Sequence, residues 1–357
     1  MMKTALLGTS ALIAAGLLAA PAAAAEKIQL GIGGKLEQYF GVVSQDDTAG
    51  FDPTVTGINT DTEVYFSGAT TLDNGLTIGA MVQLEAQTNN SVNGDEQFAY
   101  VEGAFGRIRA GQKEGILSAF AHEAPQYGLA DDDVAAFFDP SNVLGANYVR
   151  GVDTTLGGQD NASIVYFSPS MAGFSIGASY MPNPGGALQA NTESQLHDQW
   201  EVAIAYNGDV GALQVGADAA YLGASGSDDN ALEDPHGWRA GLIVGFSGFQ
   251  VGGGILRMED TAGISGDDTT TWNAGVGYKT GPYGVSLVYL ASEAEDGGSR
   301  DESEYRQVSL HGSYQMGPGV TLGAAAFWGE GELETAGTGA TASAEGTGAI
   351  VGLQLAF

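Results

Sequence analysis

The chain has no cysteine, so no disulfide can brace it and no thiolate can act as nucleophile or metal ligand. Positive charge is nearly as scarce. Twelve Lys and Arg stand against 43 Asp and Glu, a formal net charge of −31. Such an excess repels phosphate backbones and excludes nucleic acid as a partner, while it attracts cations. Proline is rare, with ten among 357 residues. Beyond the first 25 residues no apolar run approaches the ~18 residues that a membrane-crossing helix needs. Apolar residues at helical spacing are also wanting. Yet 43% of the chain is hydrophobic, and 14 Tyr and 14 Phe separate it from a disordered acidic polymer. Hydrogen-bonded strands are the remaining way to order so long a chain.

The N-terminus carries its own message. Met1-Met2-Lys3 supplies a positive start, Leu6 to Ala20 an apolar stretch, and Ala23-Ala24-Ala25 a small-residue cleavage site. Together they predict an export signal over 1–25 and a mature chain from about Glu26. Without Lys3, 11 basic residues face 43 acidic ones, a formal charge of −32, over a single domain spanning 26–357.

Alternation dominates that domain. In the last segment Ala349, Val351, Leu353, Leu355 and Phe357 are apolar, with Gly348, Gly352 and Gln354 between them. Successive strand residues point to opposite faces, so one face is greasy and the other small or polar. Trp200, Val202, Ile204 and Tyr206 repeat the pattern against Glu201, Ala203, Ala205 and Asn207. Sixteen such strands are predicted near 27–43, 59–72, 75–88, 96–104, 105–112, 160–169, 172–182, 198–208, 210–223, 236–246, 249–258, 270–280, 283–293, 304–315, 319–330 and 346–357.

Their connections alternate strictly between tight turns, such as Asp73-Asn74-Gly75, Gly208-Asp209 and Gly281-Pro282, and longer polar loops, such as 44–58, 113–159 and 331–345. Short turns at one end and long loops at the other describe an up-and-down antiparallel barrel with both chain ends on the side of the short turns. Aromatics follow two rows. Tyr206, Phe246, Phe249, Tyr278, Tyr283 and Tyr314 flank the turns, and Tyr180, Trp200, Tyr221, Trp238, Trp272, Tyr289 and Trp328 lie toward the loops. Rings collect in this way at the two headgroup levels of a bilayer. The fold class is therefore all-β, a transmembrane barrel. In lipid every backbone N–H and C=O needs a partner within the protein, so the sheet must close. Sixteen strands leave a water-filled lumen.

Parity puts Lys35, Arg107, Arg109 and Arg239 on the lumen face, with Lys35 and Arg109 nearest mid-height. Glu63, Glu85, Glu201 and Asp218 share that face. Catalysis is not expected. His311 and Ser313 share the lumen face of the fourteenth strand, but a barrel hydrolase needs nucleophile and base turned toward lipid, with a third group behind them. Asp131-Asp132-Asp133 offers oxygens of the kind Ca²⁺ takes, yet lacks the spaced ligands and glycine of an EF-hand loop. No cofactor is required.

The stretch Val101-Glu-Gly-Ala-Phe-Gly-Arg-Ile-Arg-Ala-Gly111 resembles the fourth-to-fifth-strand hairpin of alphaproteobacterial, Rhodobacter-type general porins. The terminal Phe357, with apolar residues at alternate positions before it, looks like an outer-membrane assembly signal. The resemblance implies a homotrimer among lipid and lipopolysaccharide of the outer membrane. It also implies a third loop, 113–159, folded into the lumen as the constriction. Glu114, Glu123, Asp131, Asp132, Asp133 and Asp139 would then line one side of the passage, facing the basic residues of the wall. The expected function is passive diffusion of small hydrophilic solutes and ions with a preference for cations, since acidic linings favour them. A substrate-specific channel and a non-conducting adhesive barrel are the alternatives.

Overall fold

The computed structural model describes residues 27–47, 53–86, 93–129, 134–146, 148–156, 161–184, 196–299 and 301–357. The predicted signal segment and Asp131, Asp132 and Asp133 lie outside these residues. Among the described residues sixteen strands close into one barrel, each bonded to its sequence neighbours and the first to the last. They are β1 Gly31–Gln45, β2 Thr56–Thr71, β3 Thr77–Glu85, β4 Asn93–Gly103, β5 Gly106–Gln112, β6 Ala162–Phe167, β7 Phe174–Met181 and β8 His197–Val210. Then follow β9 Leu213–Ser225, β10 His236–Phe246, β11 Phe249–Glu259, β12 Thr269–Thr280, β13 Tyr283–Glu295, β14 Glu302–Gly317, β15 Val320–Thr335 and β16 Ala340–Ala356. Every pairing is antiparallel, and Tyr39 of β1, for instance, stands opposite Asn59 of β2 and Gly352 of β16.

The alternation read from sequence is the inside–outside alternation of this wall. On β12, Trp272 and Val276 face outward and are exposed, while Thr271 and Asn273, on either side of Trp272, point inward and are buried. Tight turns draw on glycine where the backbone demands it. Gly106 opens β5 at φ +105, and a Cβ there would sit 2.1 Å from the Phe167 carbonyl oxygen. No other residue fits that turn without moving the neighbouring strand.

Aromatic side chains pair across strands at the two expected levels. Phe174–Tyr206, Phe249–Tyr278 and Tyr283–Tyr314 have ring centroids 4.8, 4.4 and 5.0 Å apart beside the short turns. Trp200–Tyr221 and Trp272–Tyr289, at 5.6 and 5.1 Å, form the row beneath the long loops. Such contacts stabilise by about 0.5–1.5 kcal/mol each beyond the area they bury.

The last three strands reach further than periodicity foretold. β14 spans Glu302–Gly317, β15 runs to Thr335 and β16 begins at Ala340, so most of the expected loop 331–345 is a tall hairpin. Above the aromatic row the outer face meets water, not lipid. Glu302, Glu304, Glu330, Glu332 and Glu334 replace the apolar residues there, and the alternation signal ends although the ladder continues.

Apolar burial is concentrated where the third loop meets the wall. Ile116, Leu117, Val152 and Leu156 pack on Val165, Leu222, Leu256 and Met258. Leu129, Val134 and Phe138 pack on Tyr39, Val43, Phe327 and Ile350. Phe138 is 1% exposed. It fits because residue 346 is glycine, where a Cβ would come within 2.3 Å of its ring. Full burial of such a side chain contributes about 1.5–3 kcal/mol.

Candidate functional site

Between β5 and β6 the chain turns into the barrel and lies along its inner wall. The outgoing leg is anchored in order around the circumference. Ile116 N–H donates to Ser179 Oγ (3.2 Å), Leu117 N–H to Glu201 (3.1 Å) and His122 N–H to Asp218 (2.7 Å). Ala124 N–H then donates to Asn273 (3.1 Å) and Tyr127 N–H to Ser286 (3.2 Å), while the Gly128 carbonyl accepts from Gln354 (3.1 Å). The returning leg is tied by Tyr148, whose hydroxyl donates to the Glu332 carbonyl (3.1 Å), and by Val149, whose carbonyl accepts from Thr271 (3.2 Å). The loop thus covers the wall from β6 round through β16 to Tyr39 and Val43 of β1, and its anchors leave uncovered the inner face around Lys35 and the neighbouring strands β2 and β3.

That open wall is acidic. Lys35 Nζ lies 2.7 Å from Asp61 and 3.0 Å from Glu63. Glu85 is opposite Glu63 in register, and the carboxylates of Asp61, Glu63 and Glu85 bring oxygens within 4.8 Å of one another. Three such oxygens are the donors a hard divalent cation takes, although Lys35 already supplies a counter-charge. The Tyr39 hydroxyl donates to Glu37 (2.5 Å), and Tyr65 donates to Glu63. Further round, Gln83 donates to Asp95, and Lys113 lies 2.8 Å from Glu96 and 2.7 Å from Glu114.

The expected site residues divide into two groups. Lys35, Glu63 and Glu85 stay partly exposed on the inner face of β1–β3, with Glu114 at the loop's root. Arg107 pairs with Glu102 at 2.5 Å near the β4–β5 turn. Arg239, Glu201 and Asp218 point inward as parity requires, but the loop seals them. Arg239 is 1% exposed and paired with Asp218, and Glu201 is also 1% exposed. These three are anchors, not pore lining, because alternation fixes which face a side chain takes and not what lies over it. Arg109 likewise turns onto Glu114 and its backbone and is 6% exposed. Glu123 accepts from Asn273 (3.1 Å) and Asp139 pairs with Arg150 (3.0 Å). Burial would raise the Asp139 pKa, but hydrogen bonds from Ser141 and the Arg150 charge outweigh it and hold the carboxyl below its usual value. His311 Nε2 lies 2.8 Å from Ser309 Oγ on the same strand.

Glu37 and Asp61 share the inward parity of Lys35 and Glu63, so alternation sufficed to find them. His122 was not legible. It sits in an irregular segment, yet the fold places its Nδ1 3.1 Å from Asp218 and its Nε2 2.9 Å from the Asn207 side-chain oxygen. Burial alone would lower its pKa, but these hydrogen bonds and the Asp218 charge more than offset it, against opposition from Arg239. The ring is held above the ordinary histidine value. At the seam of the barrel, Phe357 exchanges backbone hydrogen bonds with Gly34 at 2.9 and 3.1 Å.

A family model described as Gram-negative porin matches residues 8–332. No curated protein matches the sequence. Among solved structures, an anion-selective porin from Comamonas acidovorans is similar with a TM-score of 0.64 at 16% identity, covering 93% of this chain and 100% of that one. The trimer form of OmpT, an outer membrane protein of Vibrio cholerae, has a TM-score of 0.62 at 12% identity, with 94% and 100% covered. A mutant of the Rh. blastica porin gives 0.54 at 17% identity, with 92% and 100% covered.

Proposed function

Because this chain belongs to the Gram-negative porin family, an assignment that makes it an outer-membrane diffusion channel, we propose that its passage prefers cations and that it acts as a homotrimer. The observation that carries the preference is the β1–β3 wall, where Asp61, Glu63 and Glu85 surround a single Lys35. An anion-selective porin has a similar fold, so in this reading the barrel itself does not choose the sign of the ion. The side chains along the passage do, because each carboxylate raises the local concentration of cations and lowers that of anions. Asp131, Asp132 and Asp133, on the loop beyond the described residues, add negative charge to the same lumen in this reading. Bound Ca²⁺ among them would reduce the preference. The trimer is supported by the trimeric form of OmpT.

Water and polar solutes pass; apolar molecules must displace water ordered by charged groups. The reading is tested by single-channel recording of the purified protein in a planar bilayer under a salt gradient. Large, stable steps grouped in threes with a cation-favouring reversal potential support it. An anion-favouring potential removes the preference, and a folded barrel that passes no current replaces the channel with an adhesive surface barrel.

A further inference from the structure

We infer that Arg239 and Glu201, two side chains sealed away from the passage, set its aperture by locking both legs of the third loop to the wall. The inference rests on the diffusion-channel reading above. Arg239 on β10 donates from Nε to the Val152 carbonyl on the returning leg (2.9 Å) and from Nη2 to the His122 carbonyl on the outgoing leg (2.9 Å). Its Nη1 is held by Asp218 on β9, which also accepts the His122 N–H. One planar guanidinium therefore joins two loop legs and a neighbouring strand, a task for which the single point charge of lysine has no matching fork.

Glu201 on β8 makes a second lock of the same form. One carboxylate oxygen accepts Leu117 N–H of the outgoing leg and the Ser179 hydroxyl (2.6 Å). The other accepts the Thr155 hydroxyl of the returning leg (2.9 Å) and the Gln199 amide (2.9 Å). The other hydrogen bonds to the wall, such as Ala124 N–H to Asn273 and Thr271 to the Val149 carbonyl, each hold one leg only, and the rest of the contact is apolar packing, including that of Leu129, Val134 and Phe138. Such packing is non-directional and tolerates sliding, whereas bonds to both legs fix how far the loop stands from the wall. Space the loop yields is gained by the passage.

The test uses the full-length protein in planar bilayers, comparing wild type with Arg239→Lys, Glu201→Gln, and Arg239→Lys combined with Val152→Cys and Gly254→Cys. A Cβ at residue 254 lies 3.0 Å from Val152 Cγ2, the place a cysteine sulfur at 152 would take, and 3.1 Å from the His122 carbonyl oxygen, so the oxidised pair would hold the returning leg at the lock itself, and the chain contains no competing cysteine. Loss of two charge-assisted hydrogen bonds shifts the balance between seated and displaced loop by roughly a hundredfold. The lysine variant should give larger steps, more open-channel noise and a higher exclusion limit for neutral sugars, while its unheated barrel still migrates as folded on a denaturing gel. Oxidation of the cysteine pair should restore the wild-type step, and reduction should abolish the rescue.

Glu201→Gln should move the same readouts in the same direction, and it decides the matter if Arg239→Lys does not fold. Folded variants with wild-type conductance, noise and exclusion limit overturn the inference. If wild type itself passes no current, the channel reading fails, but the lock is still read from trypsin cleavage at Lys113 and Arg150. Cleavage should accelerate in the folded variants, and equal rates overturn the lock.

Discussion

Replacing Asp61 by Asn and Glu63 by Gln together removes two carboxylates beside Lys35 without changing side-chain volume appreciably. The local set of Lys35, Asp61, Glu63 and Glu85 goes from a formal −2 to zero. An ion on the order of 8 Å from a carboxylate in water feels about 0.5 kcal/mol, and screening at 0.1 M salt cuts this to about 0.2 kcal/mol. Each carboxylate then raises the local cation concentration roughly 1.5-fold and lowers that of anions equally, a ratio of about two. Two carboxylates give about fivefold, so the cation-to-anion permeability ratio should fall about fivefold in the double variant. Reversal potentials under a salt gradient measure this directly, and the shift should shrink toward 1 M salt, where the screening length is only about 3 Å. An unchanged reversal potential near 0.1 M, in a channel of normal step size, would refute the assignment of this wall as the selective surface.

The raised His122 pKa means its anchoring is complete below about pH 6.5 and is lost as pH rises through the higher folded value. Open-channel noise should therefore grow across that rise and become pH-independent in His122→Gln; noise that is flat with pH in the wild type would contradict this. Leu287 is exposed on the outer face and flanked there by Val276 and Leu310. Leu287→Arg should destabilise the barrel by about 2–4 kcal/mol in denaturant titrations, the cost of a cation near the bilayer midplane. Phe357→Ala leaves the β1–β16 backbone bonds possible but removes the terminal ring, so folded protein in isolated outer membranes should drop while the unfolded precursor accumulates; equal yields would count against an assembly role.

Trp272, Val276 and Leu287 announce an outward face because lipid accepts only apolar groups there, and sixteen strands could be counted on that basis. Glu332 and Glu334 hid the upper part of β15, because a ladder exposed to water on its outer face imposes no such restriction. Parity also put Lys35, Glu63 and Arg239 on the same inner face without distinguishing them, although the first two border water and the third is buried.

Composition and alternation alone determined a large cysteine-free barrel, its acidic character, the alternation of short turns and long loops, and which side chains turn inward. Periodicity of two is a local consequence of the extended backbone beside a bilayer, so it survives in the linear chain. Which strands the third loop covers, and hence which inward charges meet solutes, was decided only by the tertiary structure. Leu117 and Glu201 are 84 residues apart, and His122 and Arg239 are 117 apart. Their meeting depends on barrel closure and on the path of an irregular segment, neither of which leaves a periodic trace.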